Sequence, residues 1–369
     1  MPFVGGASLS ERGSGRGWVL DDRGSIGSLG AALVWAGRHQ VTELHLLVDR
    51  AAAPRRANMS TPDSATPPEE AVVGAVFSPG PRGVPASSVG PATGAPAEGA
   101  GDVAGVLARR GRLWAVPPAV WTVAGRRLVP AEPAPLPVPV EPPAAAREWV
   151  GVLSEHGAEV VVEGGVITGT VLGLEVARVV ADRGGPGWHV EVGVGRHDRE
   201  ATLELRRDEP LDEALDRVVT FVRRLRVAGA ARGPANTLAR ERWLRSVVIA
   251  RPELAGAARL EAVSPPVLRQ DLIRPAPASA AGVDLDGSPM VVVCSVGVDP
   301  DLVPTAADAR DLLERSGFLA HGESARAAKT RLVLVVPEGD DYPVTRELAA
   351  ALAEPAEITV VPRDWANLV

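Results

Sequence analysis

Between Pro130 and Pro143 the chain reads PAEPAPLPVPVEPP, and half of those residues are proline. Each proline fixes φ and removes a backbone donor, so neither a helix nor a central strand can run through the segment. It must be extended, with polyproline II geometry favoured, and it divides the chain into parts. The division expected is a first α/β unit over 1–130, a Pro-rich linker over 131–146 and a central unit over 147–273. A second Pro/Ala-rich linker, RPAPASAAG, follows at 274–282, and then a C-terminal α/β unit over 283–369. Within the first unit, 54–101 shifts to Pro, Ala, Gly, Ser and Thr with one short apolar run, AVVGAVF, and reads as a disordered insertion.

Hydrophobic periodicity fills in the units. In the first, a short strand near Trp18 to Leu20 precedes helix SLGAALVWAGRH, strand ELHLLVD, helix DVAGVLARRG and strand AVWTV, with residues before Trp18 frayed. ELHLLVD reads as a central strand covered on both sides, with His45 as a satisfied core histidine. The third unit runs TAADARDLLERS, RLVLVVP, TRELAAALA and EITVVP. The central unit gives LDEALDRVVTFVRRLRVA, then SVVIAR as a strand, PELAGAARL as a helix and LEAV as a strand. Helix, strand, helix, strand therefore recurs three times, as expected for two or three related α/β units with mixed sheets. Ordinary alternation of helix and strand in an α/β chain is the other explanation.

The formal charge is −7 and Lys329 is the only lysine, which argues against a generally basic nucleic-acid coat. The single cysteine, Cys294, excludes an internal disulfide framework and a cysteine-based zinc site, and places the chain in a reducing compartment, the cytoplasm. No segment approaches the roughly 18 apolar residues needed to cross a bilayer, so a soluble protein without membrane association is expected.

Chemistry concentrates in the central unit. VITGTVLGLEVARVV and WHVEVGVGRHD are valine-rich strand candidates, followed by the amphipathic helix. In the second, a period of two places His189, Glu191, Gly193, Gly195 and His197 on one face and Val190, Val192 and Val194 on the other. With Glu175 on the preceding strand, two carboxylates and two imidazoles form a candidate site for Mg, Mn or Zn. The same residues also suit a solvated strand. Further on, Arg217 to Arg259 contains ten arginines against Glu241 and Glu253, an electrostatic footprint for phosphate. Arg223, Arg240, Arg242 and Arg245, with Trp243 to stack a base, are the candidate nucleic-acid contacts. An Arg-rich solvated helix face with Trp243 in the core is the alternative.

Strand, turn, acid-bearing strand and covering helix resemble the restriction-endonuclease-like (PD-(D/E)XK) nucleases. The resemblance implies Glu175 and Glu191 as the catalytic, metal-holding acids, Glu155 as the helical acid, and SVVIAR as the next strand. At the position of the family's water-activating lysine this chain has Gly193, and Arg196 is a poor substitute because it stays protonated. The expectation is a nuclease-fold protein without catalysis or cofactor, acting as a nucleic-acid-associated or assembly component. The alternatives are a Mg- or Mn-dependent endonuclease using Glu175 and Glu191, with His189 or His197, and a scaffold that binds protein alone.

Overall fold

The computed structural model describes residues 2–3, 6–11, 13–49, 103–182, 184–195, 198–200, 209–227, 234–268, 276–318 and 329–368. The insertion expected at 54–101 and the candidate ligand His197 lie outside the described residues.

Alternating burial builds the first sheet. It takes β1 (Pro2–Phe3), β2 (Gly6–Ser10), β3 (Arg16–Asp21), β4 (Glu43–Asp49), β5 (Ala119–Ala124) and β6 (Arg127–Pro130), in that spatial order. β3, β4 and β5 are parallel and the other pairs antiparallel. The start of the chain is thus paired into the sheet through β1 and β2, where fraying was expected. Helices α1 (Ser28–Arg38) and α2 (Val103–Gly111) enclose a core with Val19, Leu44, Leu46, Val48 and Val120. The alternate face carries Trp18, Leu20, His45, Leu47 and Trp121, so α1 and α2 cover one side of β4. His45 lies on that second face. Trp121 Nε1 donates to its Nδ1 at 3.1 Å, and Trp18 stacks on its ring.

The central unit begins with α3 (Ala144–Arg147) and α4 (Trp149–Glu155). It continues as an antiparallel meander of β7 (Glu159–Glu163), β8 (Val166–Val171), β9 (Leu174–Ala181) and β10 (Trp188–Val192). VITGTVLGLEVARVV folds back on itself, because Leu172 and Gly173 take φ 48° and 74° and close a two-residue hairpin turn between β8 and β9. Helix α5 (Leu211–Leu225) buries Ala214, Leu215, Val218, Val219 and Val222, one stripe at helical spacing, on this sheet. Asp212 and Glu213 in its first turn and Arg223 and Arg224 in its last oppose the helix dipole favourably.

After the short α6 (Pro234–Thr237), helix α7 (Arg240–Ala250) contains most of SVVIAR, expected as a strand. Trp243, Leu244, Val247 and Val248 repeat at helical spacing and pack on the third sheet, and that packing overrides the strand preference of the valines. The third sheet orders β11 (Ala257–Ala262), β12 (Ala278–Asp284), β13 (Pro289–Cys294), β14 (Arg331–Pro337) and β15 (Glu357–Val361). Most of the segment read as a linker at 274–282 is therefore strand β12. Its small residues fit where the backbone of β11 comes close, and a Cβ on Gly282 would overlap the Arg259 carbonyl oxygen.

Helices α8 (Leu302–Arg315) and α9 (Pro343–Ala350) complete this unit. The hairpin β12–β13, then α8, β14, α9 and β15, repeats the connectivity of β2–β3, α1, β4, α2 and β5, with the same parallel and antiparallel pairings. The central meander does not share it, so the recurrence is twofold. The two matching units meet through their helices: α1 and α2 pack on α8, and α1 on α9. Backbone bonds from Ala115 to the Ala351 carbonyl at 3.0 Å and from Ala353 to the Leu113 carbonyl at 2.9 Å join them further. Among the described residues no helix is long and apolar enough to cross a membrane.

Candidate functional site

β9 and β10 are neighbours, and their register sets Glu191 opposite Arg178. Glu175 sits where the β8–β9 register shifts between Gly169 and Thr170, and is 4% exposed. Arg178 grips it with Nε to Oε1 and Nη2 to Oε2, both 2.9 Å, and Arg199 Nη1 reaches Oε1 at 2.5 Å. Arg199 Nε lies 3.5 Å from Glu191 Oε2. The result is a chain of alternating charges, Arg178, Glu175, Arg199, Glu191. Burial pushes the Glu175 carboxyl up, but Arg178 and then Arg199 outweigh it and hold the group below the usual carboxylate range. A metal ion at Glu175 would have to displace the partly exposed Arg178 guanidinium and the buried Arg199 guanidinium.

Gly193 is fixed by its backbone. Its φ is +147° and its N–H donates to the Val176 carbonyl at 2.8 Å. A Cβ would come within 2.8 Å of the Arg199 nitrogen. A lysine cannot occupy this position without moving the segment that delivers Arg199.

His189 pairs with Asp182 at 2.5 Å, and Glu155 is exposed near the end of α4. Among the described residues no group of three His, Cys, Asp or Glu side chains is placed to hold a metal ion. His156, which no motif or spacing singles out, bridges α4 to α5 through Asp216 at 2.7 Å and Asp212 at 3.3 Å. The hydrogen bond that its ring N–H donates to the Asp216 carboxylate raises its pKa.

The arginine-rich stretch is dispersed. Arg242 and Arg245 both pair with Glu163 at the β7–β8 turn, Arg245 at 2.9 Å while only 2% exposed. Arg245 also donates to the Ser279 carbonyl at 3.3 Å, so this group clamps the central meander to the third sheet. Gly164 N–H adds a bond to Ser264 Oγ at 3.1 Å. Trp243 is 4% exposed and meets Trp365 edge to face, so its ring is closed to a base. Arg223 donates to the Gly157 carbonyl at 2.6 Å on α5, and Arg240 lies over Trp365 on α7. The five candidates thus divide between a buried clamp and two separate surface positions.

A second buried cluster was not anticipated. Arg109 and Arg110 of α2 meet Asp301 and Asp308 at the start and middle of α8. Arg109 and Arg110 fall in the last turn of α2, and an Asp-Pro pair ahead of a helix would by itself suggest turn and cap chemistry. Asp301 does begin the helix, and accepts from Thr305 Oγ1 at 3.1 Å.

In comparison with known proteins, no family model, no curated protein and no solved structure matches this chain.

Proposed function

We propose that this chain is a non-catalytic assembly component that works through protein contacts. The observation that supports it most is the engagement of Glu175 by Arg178 and Arg199, which gives the leading catalytic candidate a structural task inside the central unit. The restriction-endonuclease-like descent expected from sequence stays part of the proposal as the origin of the acid positions. Contact with nucleic acid is the weaker form of the reading, because Arg242 and Arg245 already serve Glu163.

The test has two arms. Labelled single- and double-stranded DNA and RNA are titrated with the full-length protein across a salt series, with and without Mn, while the strand is watched for cleavage. Tagged protein is also sized in native extracts of the producing cells. No cleavage, no salt-steep binding and migration well above the monomer support the proposal. Cleavage that disappears in Glu191→Ala would establish the endonuclease instead.

A further inference from the structure

Residues 131–143 are laid against the protein in a regular way. Ala131 N–H bonds the Val120 carbonyl and Ala134 N–H the Gly105 carbonyl, both at 2.9 Å. Arg109 Nη1 holds the Pro135 carbonyl at 2.8 Å. At the far end Val140 closes on Gly165 of the β7–β8 turn, and Pro142 is buried. From Glu132 to Val138 exposure repeats every third residue, with Glu132, Pro135 and Val138 facing solvent and Pro133, Ala134, Leu136 and Pro137 partly covered, and from Val138 to Glu141 every residue is exposed. Three is the repeat of polyproline II, and Pro143 itself has φ −55° and ψ 146°. Val138 is 81% exposed and Val140 61%, high values for aliphatic side chains on a segment held at several points.

We infer that this segment is a preformed docking ridge for a partner protein domain with an aromatic-lined groove and a basic rim. This rests on the assembly-component reading. At about 3.1 Å per residue, Pro135 and Val138 stand about 9 Å apart and present two apolar knobs for successive ring-walled slots. At full polyproline II extension Glu132 and Glu141 would stand about 28 Å apart and bracket them with carboxylates, and a lysine or arginine at the groove's end would compete with exposed Arg147, which pairs with Glu141 at 2.9 Å. Because the ridge is already anchored, binding costs little further ordering. At the end of this edge strand Pro130 has no N–H to offer an added strand.

The experiment places a photo-crosslinking benzoylphenylalanine at Val138 of the full-length chain in its producing cells, with the same replacement at exposed Leu285 as control. The expected result is a discrete adduct from position 138, mapped by mass spectrometry to a partner surface with at least two Trp or Tyr and flanking Lys or Arg. The combined charge reversal Glu132→Lys with Glu141→Lys, which leaves the circular dichroism unchanged, lowers its yield at least fivefold. A yield no higher than at 285, a mapped surface without aromatic residues, or indifference to charge reversal overturns the ridge. Native size separates the two ideas. A large assembly without a Val138 adduct removes the ridge and leaves the assembly reading standing, whereas a free monomer removes both.

Discussion

Arg109 and Asp308, 199 residues apart in sequence, form a two-point ion pair, Nε to Oδ1 and Nη2 to Oδ2, each 2.8 Å. Arg110 Nε adds a third contact to Asp308 at 3.1 Å, and the carboxylate is fully buried between α2 and α8. Removing it leaves Arg109 without a carboxylate partner and Arg110 with Asp301 alone, both largely out of water. Asp308→Ala should therefore lose about 3–5 kcal/mol of stability, read from the urea midpoint, and Asp308→Asn less. The double change Arg109→Met with Asp308→Leu should recover part of the loss. If the double variant is as weak as the sum of the singles, the pair is not coupled as the geometry requires.

Asp301 gives the same seam a pH dependence. Burial, opposed by Arg110 and aided by Asp299, pushes its carboxyl up to about 6. A carboxyl whose folded pKa lies above its unfolded value binds its proton more tightly in the folded state, so its contribution to stability falls as pH rises from about 4 to about 6. Asp301→Asn removes that titration. Relative to the parent, the variant should gain about 1–2 kcal/mol between pH 4 and pH 7 in denaturant titrations. A constant difference across that range would refute the assignment.

Glu175 predicts the opposite slope. Its folded pKa is depressed, so its stabilising effect is complete above the unfolded carboxylate range and is lost as pH falls through the folded value. Glu175→Gln should cost about 2–4 kcal/mol at pH 7 by leaving Arg199 poorly paired. The deficit should shrink in acid, which far-ultraviolet circular dichroism at graded urea can follow.

Placing a lysine at Gly193, as the nuclease pattern would have it, should not create a nuclease. Gly193→Lys must adopt a backbone conformation costing about 1–3 kcal/mol for a residue with a side chain, and must also push away the Arg199 backbone. A lowered melting temperature with no Mn-dependent cleavage is expected. Cleavage above the parent would show that the acids are available to metal after all.

Cys294 is a built-in reporter of opening. It is fully buried in β13, and burial pushes the thiol up to about 12. Alkylation by iodoacetamide at pH 8 should be undetectable until the third sheet opens, with a rate that tracks denaturant unfolding. Rapid labelling in native buffer would place this strand in a loose region.

Much of the fold is visible in the chain because local pattern and tertiary packing agree. ELHLLVD, RLVLVVP, EITVVP and the stripe of α5 are strands and a helix as their spacing requires. The Asp286-Gly287 and Ala124-Gly125 turns lie where the hairpins reverse. Disagreement arises where composition and environment oppose each other. The Val247–Val248 pair in α7 looks extended until the third sheet supplies a surface matched to helical spacing. Ala280, Ala281 and Gly282 look like linker until β11 and β13 close on them from either side. The candidate site was legible only as residue types. Glu175 and Glu191 stand out as acids on strands, but Arg178 and Arg199, which engage those acids, carry no signature beyond being arginines.

The union of α1 and α2 with α8 and α9 also governs the order in which the chain can finish folding. At about 5–20 residues per second, the interval between synthesis of Arg109 and of Asp308 is about 10–40 s. During it the first helical pair has no counterpart to cover its outer surface, and the central meander is made in between. A nascent chain halted after the meander would display an apolar helix face and two unpaired arginines. The last stage of synthesis is therefore where a chaperone, or a wrong partner, meets this protein.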